Sequence, residues 1–283
     1  MPVHGEWINY GDQSGYFAFP EKAAKPLPAV IVIQEIWGVN TQIEGVVDRI
    51  AASGYAALAP DLFAVDGKRP AALEPGRVDE TIAFGASLPP EKRFDPAARE
   101  EALARLDPIT RARISETFAA MWSTPGRLPA LVAPLRKAVA HLRRERAETK
   151  GQSLGCVGFC MGGGLSALLA CEEPELDAAA IFYGSCPPDE KVMAISSPLI
   201  GFYGSMDQRV NAGIPAFASA MRDAGKSYEY HIYEGSNHGF FNETGVAYDV
   251  NASRDAWARL MAFYAKHLAE GRIKEAALAG RGA

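Results

Sequence analysis

A chain of 283 residues, 48% of them hydrophobic and 22% charged, carries enough apolar side chain to bury a large core, which excludes a disordered or collagen-like polymer. Its 29 Lys and Arg against 34 Asp and Glu leave a net charge of −5, so it lacks the basic field that draws nucleic acid or an anionic membrane surface. Apolar runs such as Ala29–Ile33 are far too short to span a bilayer, and the opening MPVHGEWINY has neither the basic nor the apolar block of a signal peptide; the expectation is a cytoplasmic protein.

Taken in chain order, short β-type runs alternate with longer helical ones, the pattern of a mostly parallel sheet covered on both faces. Gly5–Tyr10 and Gly15–Phe19 flank a Gly-Asp-Gln-Ser-Gly turn and predict an antiparallel hairpin at the sheet edge. Further strands are expected at Ala29–Gln34, Ala56–Ala59, Leu154–Phe159, Ala178–Tyr183, Leu199–Tyr203 and Tyr228–Tyr233. Several are unbroken apolar runs, as strands buried on both faces should be. Helices are expected over Thr41–Ser53, Pro96–Ala120, Leu128–Thr149, Gly163–Ala170, Gly213–Ala224 and Ala252–Glu270. In the last, Trp257, Leu260, Met261 and Tyr264 recur at helical spacing as one buried stripe. The whole chain, 1–283, reads as one α/β domain. Within it Ala64–Arg127, rich in Pro, Arg, Glu and Ala, is longer than a crossover needs and is expected to be a helical insertion, either a lid or a surface addition. Gly271–Ala283 reads as a frayed polar tail.

Four cysteines, Cys156, Cys160, Cys171 and Cys186, are too few for a disulfide scaffold and should be free thiols. The five histidines form no helical metal-binding pair, so no metal site is expected. The most informative segment is Gly158-Phe159-Cys160-Met161-Gly162, between an apolar strand and an Ala/Leu-rich helix. It has the Gly-x-nucleophile-x-Gly pattern of a sharp strand-to-helix turn. Glycines are needed because strand and helix come close together there. The turn projects the nucleophile at the strand's end, near the positive end of the helix dipole. The Met161 N–H then points into the site as an oxyanion donor. A phosphate loop would require a lysine that Gly164-Leu165 does not supply, and Gly-x-Gly-x-x-Gly is absent at this turn.

The partners follow in a telling order. Asp207 comes after the strand Leu199–Tyr203, and His238 after Tyr228–Tyr233. Nucleophile, acid, histidine is the chain order of the α/β-hydrolase arrangement, in which parallel strands bring distant loops to one carboxyl edge. His238 would take the Cys160 proton and Asp207 would orient the imidazolium.

The segments Gln34-Glu35-Ile36-Trp37-Gly38-Val39-Asn40, Pro60-Asp61-Leu62, Gly158-Phe159-Cys160-Met161-Gly162-Gly163, Phe182-Tyr183-Gly184 and His238-Gly239-Phe240 resemble the dienelactone hydrolase, or carboxymethylenebutenolidase, family. The likeness runs from about residue 5 to 270, apart from Ala64–Arg127. It implies an α/β-hydrolase fold, no cofactor, and a triad of Cys160, Asp207 and His238. It also implies that Glu35 accepts the thiol hydrogen in the resting enzyme and is displaced by substrate. Ile36 should supply the second oxyanion N–H, as is general in this fold. The family's substrate carries a carboxylate held by arginines. One of those sits four residues after the triad histidine, where this chain has Asn242, and the other falls in the insertion. Trp37 and Tyr183 match pocket-wall positions, and Arg209 is a candidate for a substrate anion. The expected partner is a small ester or lactone. The rival readings are a thioester or acyl-peptide substrate on the same fold, or a non-catalytic member that senses redox state through Cys160. The chain is expected to be a monomer or a homodimer.

Overall fold

The computed structural model describes residues 1–89, 92, 95–123 and 128–269. Eight strands form one sheet: β1 (Val3–Tyr10), β2 (Gln13–Pro20), β3 (Ala29–Ile33), β4 (Ala56–Pro60), β5 (Leu154–Phe159), β6 (Ala178–Phe182), β7 (Leu199–Gly204) and β8 (Tyr228–Tyr233). Their order is β1-β2-β4-β3-β5-β6-β7-β8. The first pair is the antiparallel edge hairpin, with Val3 opposite Pro20, and β2 runs antiparallel to β4. From β4 to β8 every pairing is parallel. The strand ends of β3, β5, β6, β7 and β8 therefore open on one edge.

The alternation of side chains along each strand divides the core into two layers. Ile31 and Ile33 of β3 point to one face, where they join Leu131, Leu135, Leu165 and Phe217. These belong to the helices α5 (Leu128–Ala140), α6 (Met161–Glu172) and α8 (Ile214–Asp223). Val30 and Val32 point to the other face and meet Val46, Val47, Leu260 and Tyr264, from α1 (Thr41–Ala52) and α9 (Val250–Ala269). Each such side chain contributes roughly 1.5–3 kcal/mol by leaving water. In α9 Leu260 and Tyr264 are buried as the stripe requires, while Trp257 and Met261 lie at its margin.

Between β4 and α5 lie α2 (Pro75–Ser87), α3 (Pro96–Ala104) and α4 (Pro108–Ser123). The helix expected over Pro96–Ala120 is thus two. Asp107 accepts hydrogen bonds from the Ile109 and Thr110 N–H groups, and Pro108 at the first position of α4 cannot continue α3. α2 has no counterpart in the expected elements: two glycines, Gly76 and Gly85, dilute its pattern. The helix expected over Leu128–Thr149 ends at Ala140 and runs on as a π-turn, His141–Glu145. The α2 and α4 helices pack on each other. Val78 and Met121, with Leu73 from the turn Ala71–Leu73 before α2, build a third, smaller core, which closes around Phe63 and Ile36. No described helix is long and apolar enough to cross a membrane. The tail expected at 271–283 lies outside the described residues.

Candidate active site

Cys160 sits between β5 and α6 with φ 54° and ψ −114°. That is a strained conformation for a residue with a side chain. The close packing around it explains both flanking glycines. A Cβ on Gly158 would lie 1.8 Å from the Gly162 carbonyl oxygen, and one on Gly162 would lie 2.3 Å from that of Ile33. The Cys160 N–H is fixed by the Phe182 carbonyl at 3.0 Å. All four cysteines are free, and Cys160 is partly exposed.

Asp207 and His238 lie on the loops after β7 and β8. These loops are tied together: Met206 N–H donates to the Ser236 carbonyl at 3.0 Å, and Gly235 N–H to Ser205 Oγ at 2.9 Å. One Asp207 oxygen accepts from the Val210 N–H at the start of the short helix α7 (Gln208–Asn211). The other lies 2.5 Å from His238 Nδ1. Asp207 is thus helix cap and histidine partner together. Burial opposes charge on His238. Hydrogen bonds to Asp207 and to the Cys160 thiol, and attraction to both, outweigh it and lift the imidazole to about 10. Burial also opposes charge on Asp207, yet His238 holds its carboxyl below the ordinary value. Asp207 and His238 are therefore joined directly, and Cys160 is close enough to the imidazole to act on its charge.

Glu35 follows β3 and is buried. Its two oxygens accept from the Tyr183 hydroxyl at 3.1 Å and from Asn242 Nδ2 at 2.9 Å. Burial raises its pKa, against the effect of both hydrogen bonds and of His238. Both Glu35 oxygens are thus engaged by Tyr183 and Asn242, while Cys160 acts on the His238 imidazole. Tyr183, itself at positive φ, packs its ring 5.1 Å from the imidazole. Asn242 holds Glu35 instead of presenting a cation. Arg209 is exposed on α7, where its charge acts on Asp207. Trp37 is half-buried against the third core.

Ile36 and Met161 bring their amides to the same strand ends. Met161 is the first residue of α6, so no carbonyl one turn back accepts its N–H. Among the described residues neither amide donates to a backbone carbonyl. The loop carrying Ile36 is closed by Gly38 N–H to the Glu35 carbonyl, and Gly38 takes φ 80°. The loop is further anchored by Asp61 and Arg69, of which the sequence marks only Asp61, as part of the Pro60-Asp61-Leu62 motif, and assigns neither a role.

A model of the dienelactone hydrolase family matches residues 14–268. A protein of Saccharolobus solfataricus, provisionally assigned as a carboxymethylenebutenolidase, is 34% identical over 249 residues, covering 88% of this chain and 91% of its own length. A Yersinia pestis protein with the same provisional assignment is 26% identical, covering 91% of this chain and 85% of its own. Among solved structures, a protein from Klebsiella pneumoniae provisionally assigned as a dienelactone hydrolase superposes with a TM-score of 0.68 at 22% identity, over 94% of this chain and 99% of that one. The sheet order agrees with the α/β-hydrolase fold of these proteins. With nearly the whole sheet and its connecting helices inside the match, the chain belongs to the dienelactone hydrolase family, hydrolases that act on ester bonds.

Proposed function

We infer that this chain is a cysteine hydrolase that opens a small ester or lactone through an acyl-enzyme thioester. The observation that carries the reading is the imidazole of His238, hydrogen-bonded through Nδ1 to Asp207 and raised in basicity by the neighbouring Cys160 sulfur as well. His238 takes the thiol proton as sulfur attacks the carbonyl carbon. The Ile36 and Met161 N–H groups bind the oxyanion that forms, and each such donor contributes a factor of roughly 10² to 10³. The tetrahedral intermediate then collapses. The carbon–oxygen bond breaks, His238 returns its proton to the leaving alkoxide, and a thioester remains. Water deprotonated by His238 attacks that thioester, and Cys160 departs as the leaving group. Asp207 keeps the imidazole in the useful tautomer and stabilises its cation.

Glu35 sets when this begins. A buried carboxylate beside the site repels a free thiolate, so it keeps sulfur protonated until a bound substrate shifts the balance. Tyr183, buried against Glu35 and His238, and the half-buried Trp37 are the candidate walls of the acyl site, and the exposed Arg209 is a candidate for a substrate anion. Cys160→Ala removes the covalent path, and turnover of an activated aryl ester or enol lactone should fall at least about 10³-fold. Mass spectrometry of the wild-type protein quenched with ester should show an acyl group on Cys160. Full turnover by the alanine variant would sink the reading.

A further inference from the structure

The loop that carries Ile36 is gripped at three points by the segment between β4 and α5. Arg69 is buried, its side chain 8% exposed, and it pairs with Asp61, 4% exposed. Its Nε donates to Asp61 Oδ2 at 2.6 Å, and its Nη2 donates to the carbonyl oxygen of Val39 at 2.8 Å. Asp61 is in turn fixed, its Oδ1 accepting from the Phe63 N–H at 3.1 Å. The Phe63 ring lies against Gly38, where a Cβ would come within 2.8 Å of it. Finally, the Ile36 side chain is buried with Phe63, Leu73, Val78 and Met121. The guanidinium, the ring and the third core therefore act on residues 36, 38 and 39.

A buried ion pair is costly to assemble and gains little net stability over apolar packing. Its geometric effect is clearer. A planar guanidinium with two arms engaged fixes Asp61 and the Val39 carbonyl relative to each other. The oxyanion donor must meet the developing charge at about 2.7–3.1 Å, and small displacements are expensive in rate.

We propose that the helical insertion is a clamp on the oxyanion loop, with Arg69 as the positioning residue that holds the Ile36 amide toward the nucleophile. This rests on the reading of Ile36 as an oxyanion donor. Arg69 touches neither sulfur nor imidazole. It acts through the loop backbone.

The test compares two variants. Asp61→Asn with Arg69→Met removes both buried charges, so that neither is stranded. Arg69→Lys keeps a cation for Asp61 but gives up the two-armed fork. Turnover of p-nitrophenyl acetate is measured together with the rate at which iodoacetamide alkylates Cys160, followed by peptide mass spectrometry. Alkylation is a displacement at a saturated carbon and needs no oxyanion hole. In both variants kcat should fall about 10- to 100-fold, with KM within about threefold, while Cys160 alkylation stays within about twofold of wild type. Wild-type kcat in either folded variant overturns the clamp. A parallel loss of alkylation also overturns it, because the defect then lies in the thiol and its histidine. The Cys160→Ala control separates the two readings. If it abolishes turnover while the Arg69 variants keep theirs, only the clamp fails; if it retains turnover, the acyl-enzyme reading fails first.

Discussion

The turn carrying Cys160 and the loop carrying Ile36 lie side by side, at the ends of the neighbouring strands β5 and β3, and they are held by opposite means. At the turn, backbone presses on backbone. Gly158 meets the Gly162 carbonyl, and Gly162 meets the ends of β3, so there is no room to add an atom. At the loop, side chains arrive from outside: Arg69 at Val39, Phe63 beneath Gly38, and the third core around Ile36. Here the vulnerability is removal. One side of the candidate site is thus built by excluding side chains and the other by supplying them, and the two should fail under opposite substitutions.

The sharpest way to break that contrast is Gly162→Ala. The new methyl group would sit 2.3 Å from a carbonyl oxygen of β3, and neither backbone can step aside cheaply. The expected cost is about 3 kcal/mol, a fall in melting temperature of roughly 6–10 °C. A variant melting within a degree of wild type would show that the turn has slack. Next comes Ile36→Ala, which keeps the amide and deletes the anchor. It should cost about 2 kcal/mol, near the low end for a buried isoleucine because the site borders solvent, and it should lower kcat more than it raises KM. Unchanged kinetics would mean that the loop holds its shape without the third core.

The third loop is secured by charge, and pH tests it most gently. The His238 imidazole is raised from 6.5 to about 10, so its contribution to stability is complete below pH 6.5 and disappears as pH rises through about 10. Asp207 is lowered from 3.8, so its contribution is present above that value and lost on acidification through the lower, folded value. Thermal melts of wild type and His238→Gln should differ most between about pH 4 and 6.5 and converge toward pH 10. A gap that stays constant over that range would show that the fold adds nothing to proton binding at this imidazole.

The sequence carried the part of the site encoded locally. Continuous apolar strands, the glycines around Cys160, and the order of Cys160, Asp207 and His238 were legible because each depends on a few adjacent residues or on topology. The longer elements are blurred by their local signals: Asp107-Pro108 splits a run that otherwise looks helical, and Gly76 and Gly85 hide α2. What stayed hidden were the long-range pairs. Arg69 serves Val39, and Asn242 serves Glu35 across 207 residues. No periodicity marks a side chain whose partner is a carbonyl or a carboxylate brought near only by the folded sheet. Asn242 departs from the arginine that the resemblance leads one to expect, and its hydrogen bond to Glu35 gives that departure a physical content.

Strand β5 pairs with β3, not with the β4 strand that precedes it in the chain, so the connection from Pro60 to Leu154 leaves the sheet and returns on the far side of β3. The entropy of closing such an excursion grows only with the logarithm of its length, about 0.6 kcal/mol for each doubling. Added sequence at this crossover is therefore thermodynamically cheap, and it re-enters the sheet directly at β5, the strand that ends beside Cys160. The same topology allows the surroundings of Cys160 to be reworked by lengthening one excursion, while the strands that carry Cys160, Asp207 and His238 keep their register.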